Sequence, residues 1–237
     1  MSSSIDNKQN KNPKIALVAG EQSGDQLGAS LIKYIKEIFP LAIFMGVGGE
    51  KMKKQGLNSL FPMEKLSVMG IIEPLLRIYE LLSLRKNLKD YLSAQNPDIF
   101  IGIDYPDFNL SVSKYLKTKG ITTIQYVSPS VWAWREGRIK SIEKSVDRVL
   151  TLFPFEKEAY KNSSVEVTFV GHPLAHKFSK DLNKEDIRKK KFSVNEGKMI
   201  ALLPGSRRSE ISKMGVVLLK TAELIKDYDD NARFFMP

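Results

Sequence analysis

The chain has 237 residues, no cysteine and a formal net charge of +10. That length fits one domain plus part of a second, and the lack of cysteine excludes disulfide staples and thiolate metal sites. Lys and Arg outnumber Asp and Glu by 37 to 27, a balance that draws anionic lipid, phosphorylated substrate or nucleic acid without choosing among them, and that a merely solubilising surface shares.

Residues 1–14 are polar and lack the apolar stretch of a secretory signal, so residues 1–13 are expected to be a disordered tail. No run of about 18 apolar residues occurs, and no membrane-spanning helix is expected. Strand-like and helix-like segments then alternate. Residues 14–20 (KIALVAG) form a short apolar run ending in glycine, as a buried parallel strand does. Residues 25–38 follow with helical spacing at Leu27, Leu31, Tyr34, Ile35 and Ile38. Further strands are predicted at 43–49, 98–104, 122–128, 148–153 and 165–171. Strands interleaved with helices predict right-handed crossovers and a parallel, doubly wound sheet. Between 174 and 197 the pattern lapses into a charged stretch that reads as a linker entering a short helix. A strand at 199–205, a helix near 210–226 and a strand start at 232–237 open a second α/β domain that stops after one βαβ unit. One such unit cannot bury a parallel sheet on both faces, so the chain reads as a fragment or as dependent on something further. The expected fold class is α/β with two Rossmann-like domains, bounded at 14–180 and 181–237, the second incomplete.

Residues 20–28 (GEQSGDQLG) make the first strand-to-helix junction. Gly, Ser and Asp there can form a tight turn and cap a helix whose free N–H groups suit an anion. A capped turn alone would leave the same pattern. The junction is not the GxGxxG fingerprint, Glu21 and Asp25 would repel a pyrophosphate, and no GxxxxGK[ST] loop occurs in the chain. NAD binding and P-loop ATPase chemistry are thereby demoted. The strand at 98–104 ends in Asp104, at the sheet edge where open α/β folds bind ligands. A carboxylate there can take a proton from an attacking hydroxyl. It can equally cap a helix starting near Asn109, a role for which Asp107 is better placed.

Residues 126–138 (YVSPSVWAWREGR) carry the chain's two tryptophans, Trp132 and Trp134, backed by Arg135 and Arg138. Indole faces and guanidinium groups suit a sugar ring, a lipid headgroup or a phosphate; packing under a loop explains the indoles equally well. His172 in GHP (171–173) follows a strand end and can donate to a phosphate or hydroxyl, or act as a base. A lone histidine also serves structure, and His176 four residues on, with no carboxylate trio, makes no zinc site. In LLPGSRRSE (202–210), Gly205 turns the chain, and Ser206 and Arg207 meet a helix start. Backbone N–H groups, a hydroxyl and a guanidinium converge there on a site suited to a diphosphate, and Glu210 can close a capping box. Residues 66–92 carry an apolar stripe wider than one core-facing helix needs, interspersed with Arg77, Arg85, Lys86 and Lys89. Such a face can lie in a membrane interface and grip acyl chains; a helix buried between sheet and loop would read alike.

Taken in order and spacing, ALVAGEQSGDQLGA, LSVMGIIEPL, IGIDYPDFN, YVSPSVWAWR, LFPFEK, FVGHP and LLPGSRRSEI resemble the lipid-A-disaccharide synthase family across residues 14–237. The resemblance implies a two-domain fold of glycosyltransferase B type. The N-terminal domain would hold the acceptor and touch the membrane; the C-terminal domain would hold the UDP-sugar. It implies inverting transfer from UDP-2,3-diacylglucosamine to 2,3-diacylglucosamine 1-phosphate, giving the β-1,6-linked lipid A disaccharide 1-phosphate and UDP. It further implies no cofactor and no metal, a Gram-negative source, and a peripheral, cytoplasmic place on the inner face of the inner membrane. Nucleic acid is not expected as a partner, and a homodimer is left open. The family's base falls on Asp104, and its donor-phosphate contacts fall on Ser206 and Arg207. Its membrane helix falls on 68–84, with Val68, Met69, Ile72, Leu75, Leu76, Ile78, Leu81 and Leu82 as acyl contacts. Pro74 in that strip fits a helix's first turn or a kink. Ser23, Asp25, Trp134, Arg135 and His172 lie in family motifs at the cleft. The family continues well past residue 237, so the resemblance is to a protein cut short in its C-terminal domain. An inactive lipid-binding fragment and another UDP-sugar enzyme of the same fold are the alternatives.

Overall fold

A computed structural model describes residues 12–66, 76–131, 136–176, 183–194, 196–205 and 208–236. They fall into two compact units that divide between Lys177 and Phe178. The first unit runs β1 (Lys14–Ala19), α1 (Gln22–Ile38), β2 (Ile43–Val47), α2 (Glu50–Lys54), β3 (Leu57–Ser59), α3 (Ile78–Gln95), β4 (Ile99–Ile103), α4 (Pro106–Lys117), β5 (Thr122–Tyr126), α5 (Ile139–Ser145), β6 (Arg148–Thr151) and β7 (Glu166–Phe169). Its strands form a seven-stranded sheet in the order β3-β2-β1-β4-β5-β6-β7, with every neighbouring pair parallel. The α/β, doubly wound reading stands. The strands carry near-continuous apolar runs because helices cover both faces of the sheet; Ala16, Leu17, Val18 and Ala19 of β1 are all fully buried.

The chain leaves β1 towards β2 and β3, then returns to β4 on the other side of β1. The reversal opens a crevice beyond the carboxyl ends of β1 and β4, where doubly wound sheets take their ligands. Ile103 and Asp104 stand at that edge on one side, and Gly20 and Glu21 on the other.

Helix α1 lies close against this edge because its inward face is small. A Cβ placed on Gly28 would come within 2.5 Å of Met52 Sδ and 2.9 Å of Ile103 Cδ1. Leu27 and Ile32 fill the rest of that face. Helix α3 buries Leu81, Leu88 and Leu92, while Leu82 and Tyr79 face outward.

The second unit holds α6 (Lys184–Phe192), β8 (Met199–Ala201), α7 (Arg208–Tyr228) and β9 (Arg233–Phe235). Strands β8 and β9 are parallel, and the Asn183 side chain caps α6 by accepting from the N–H groups of Glu185 and Asp186. Phe192 meets Phe235 edge-on, with centroids 4.7 Å apart.

Replacing Gly28 by valine crowds the buried side chains of Met52 and Ile103. Overpacking of this kind costs about 1–3 kcal/mol, and the urea midpoint of Gly28→Val should fall accordingly; an unchanged midpoint would show that the helix has room to spare.

Candidate functional site

Strand β4 does not end in a relaxed turn. Asp104 donates its N–H to Tyr126 O on β5 at 2.9 Å, the last bond of the ladder. The chain then takes two successive left-handed residues, Asp104 at φ 52° and Tyr105 at φ 43°, before α4 begins at Pro106. Proline disfavours the right-handed helical region for the residue before it, so the helix opens only at Pro106. Val127, just beyond β5, is also left-handed at φ 74°. Such conformations cost non-glycine residues on the order of 1–3 kcal/mol each and gather at functional sites.

Helix α4 therefore starts earlier than the sequence suggested, at Pro106 rather than near Asn109. Neither carboxylate caps it: the N-cap is Tyr105, with no side-chain capping bond. Asp107 turns outward instead and pairs with Arg138. Asn109 turns inward, and its amide donates to Asp104 O at 2.8 Å.

Asp104 is half-buried, and its carboxyl is held above the ordinary aspartate range. Burial is the main cause. The negative charge of Glu21, across the crevice at the end of β1, adds to it, while the Tyr105 N–H acts in the opposite direction. A carboxyl with raised proton affinity is a stronger base once ionised. It lines a cavity of about 310 Å³ with Pro106, Val127, Ser128, Pro129, Ser130, Val131 and Arg138. Ser128 is locked in this wall by Tyr160, its Oγ lying 2.8 Å from the phenol oxygen.

Ser23 and His172 come together elsewhere on the same carboxyl edge. They line a second cavity of about 170 Å³ with Gln26, Leu27, Ser30, Pro173 and Leu174. His172 Nδ1 accepts the Leu174 N–H at 3.1 Å, which leaves Nε2 to carry the proton of the neutral ring. Asp104 and His172 thus face different cavities.

Asp25 does not face the crevice. It is 5% exposed, and its two carboxylate oxygens accept the N–H groups of Lys51 at 3.1 Å and Met52 at 3.0 Å. It clamps the start of α2. Leu81 packs in the core at 5% exposed, because it lies on the sheet-facing side of α3. Leu76, Ile78 and Leu82 are exposed. Val68, Met69, Ile72, Leu75, Trp134, Arg135, Ser206 and Arg207 lie outside the described residues. Sequence reading passed over Glu21 as a neighbour of Asp104, and over Asn109 and Gln125. The available signal was a polar residue in the middle of an apolar strand, at Gln125. Among the described residues no cluster of His, Asp and Glu is arranged to hold a metal ion, and no helix is long and apolar enough to cross a membrane.

A family model described as lipid-A-disaccharide synthetase matches residues 15–237. The chain belongs to the lipid-A-disaccharide synthase family. A lipid-A-disaccharide synthase of Idiomarina loihiensis is 49% identical over 229 residues, covering 97% of this chain and 60% of that one. Another, from Alcanivorax borkumensis, is 47% identical, covering 95% of this chain and 59% of that one. The chain thus spans about three-fifths of the length of these curated relatives. Among solved structures, a putative UDP-N-acetylglucosamine 2-epimerase from Listeria monocytogenes superposes with a TM-score of 0.61 at 9% identity, covering 96% of this chain and 62% of that one. A UDP-GlcNAc 2-epimerase from Neisseria meningitidis, bound to UDP-GlcNAc, gives 0.61 at 13% identity, covering 94% and 65%. At such identities the likeness is one of fold. In this chain, IGIDYPDFN (101–109) is the segment that builds the Asp104 turn.

Asp25→Ala should lower stability by about 1–2 kcal/mol, as loss of a helix cap does, in urea melts of the chain. A stability within error of the wild type would return Asp25 to the list of candidate cleft residues.

Proposed function

We propose that this chain supplies the acceptor side of an inverting glycosyltransferase that joins two acylated glucosamines. In this reading the acceptor is 2,3-diacylglucosamine 1-phosphate and the donor is UDP-2,3-diacylglucosamine. The acceptor 6-hydroxyl oxygen attacks C1 of the donor sugar, and Asp104 takes the hydroxyl proton. The bond from C1 to the diphosphate oxygen breaks, and UDP leaves with the electron pair. The product is the β-1,6-linked disaccharide 1-phosphate.

One observation carries this reading. Asp104 stands at the reversal point of the sheet on the wall of a cavity of about 310 Å³, with a carboxyl whose proton affinity burial has raised. General bases work best when their proton affinity approaches the working pH. Arg207 and Ser206, beside the start of α7, are assigned to the diphosphate, because helix N–H groups and a guanidinium suit the charge that grows there. Ser23 and His172 are assigned to polar groups of the acceptor, and Trp134 and Arg135 to the cleft. The exposed Leu76, Ile78 and Leu82, continued by Val68, Met69, Ile72 and Leu75, are assigned to acyl chains and the membrane surface. In this reading the protein sits as a peripheral protein on the cytoplasmic face of the inner membrane.

In the complete gene product, Asp104→Asn should lower kcat/KM by about 10²–10⁴, the usual worth of a general base, in an assay of radiolabelled donor consumption. The wild-type rate should fall on acidification with an apparent pKa above the ordinary aspartate value of about 3.9. Equal rates in wild type and variant would remove Asp104 as base. Equal turnover of non-acylated UDP-N-acetylglucosamine would move the substrate reading to another UDP-sugar enzyme of this fold.

A further inference from the structure

Two buried side-chain amides lie directly beneath the Asp104 turn. Asn109 on α4 and Gln125 on β5 are both fully buried. Asn109 Nδ2 donates to Asp104 O at 2.8 Å and lies within reach of Val18 O at 3.3 Å and Ile103 O at 3.4 Å. Gln125 Nε2 approaches the same Asp104 O at 3.1 Å, and Val127 O at 3.3 Å. The two amides thus converge on one carbonyl. Asn109 ties it to the ends of β1 and β4, and Gln125 ties it to the left-handed residue that ends the neighbouring strand.

The arrangement is not what packing alone would select. The carbonyl oxygens of both amides, Asn109 Oδ1 and Gln125 Oε1, are buried and have no hydrogen-bond partner among the described residues. An orphaned buried polar atom carries a desolvation penalty, and an apolar side chain of similar shape would avoid it. Room for the pair is made at Gly102, where a Cβ would stand 2.7 Å from Asn109 Cβ and 3.1 Å from Gln125 Oε1. Three elements are therefore shaped around two amides whose donor ends serve the Asp104 turn.

We infer that Asn109 and Gln125 are positioning residues that hold Asp104 in its left-handed conformation and so fix where its carboxylate stands. This rests on the reading of Asp104 as the proton acceptor. Without the two donors the Asp104 carbonyl is free to rotate, the turn relaxes towards ordinary backbone angles, and the carboxylate leaves the cavity wall. The amides touch no reacting atom and act through Asp104.

The test uses the complete gene product and near-isosteric variants that remove the donors, Asn109→Leu and Gln125→Met, alone and combined with Asp104→Asn. Each single variant should lower kcat about 10- to 100-fold, the cost of a misplaced catalytic group, with KM within about threefold. Each should also displace the acid limb of the pH–rate profile, a readout that loss of general stability does not move. In the Asp104→Asn background neither should lower the residual rate further. Asn109→Ser, which keeps a donor, should recover part of the rate; it carries the test with Gln125→Met should Asn109→Leu not fold. An unchanged kcat and acid limb in the donor-free variants, with Asp104→Asn inactive, would overturn the positioning role while leaving the base assignment intact. The same overturning follows if the losses add fully to that of Asp104→Asn. An active Asp104→Asn would bring down both.

Discussion

The carbonyl of Asp104 is the point on which the candidate site depends. It sits where the sheet reverses direction, and it accepts from Asn109 and Gln125 while its own N–H closes the ladder to Tyr126. Those bonds keep two successive non-glycine residues left-handed, a conformation that local sterics oppose. Pro106 restricts the chain on the far side, and Gly102 clears space below. The side chain that results is neither a helix cap nor a core residue, and it is available to the cavity.

Electrostatics follows from that placement. An aspartate in water would ionise readily and be a weak base. Here burial raises its proton affinity, and Glu21 across the crevice adds to the effect. The strained backbone and the partly desolvated carboxyl both oppose stability, and the deep core around β1, β4 and α4 is what offsets them. A site of this kind is expected where function rather than stability has chosen the residues.

Much of the architecture was legible in the sequence, because a fully covered parallel sheet writes itself as short apolar runs ending in glycine or a polar turn. Strands β1, β2, β4, β5, β6 and β7 were each visible that way. Helix α2 and strand β3 were not, since α2 has under two turns and β3 (Leu57–Ser59) carries a single apolar residue. The start of α4 was misplaced because Asp107 offered a plausible cap, whereas the helix opens without one. The placement of Asp25 was hidden for a related reason. A carboxylate in a glycine-rich turn suggests a ligand, but its partners are backbone N–H groups of α2, twenty-six and twenty-seven positions later in the chain. Asp104 was singled out from its place at a strand end. Its amide supports were not, because a hydrogen bond from β5 to β4 has no signature in either strand alone. Gln125 amid apolar neighbours was the one trace.

The most direct measurement of the central claim is the titration of the Asp104 carboxyl, followed by carbon-detected NMR in protein with labelled aspartate and assigned through Asp104→Asn. The account requires a midpoint above the ordinary value of about 3.9, and a downward displacement when Glu21→Gln removes the neighbouring charge. A midpoint at or below the ordinary value, unmoved by that substitution, would mean that the carboxyl is open to water and that the turn does not make it a base.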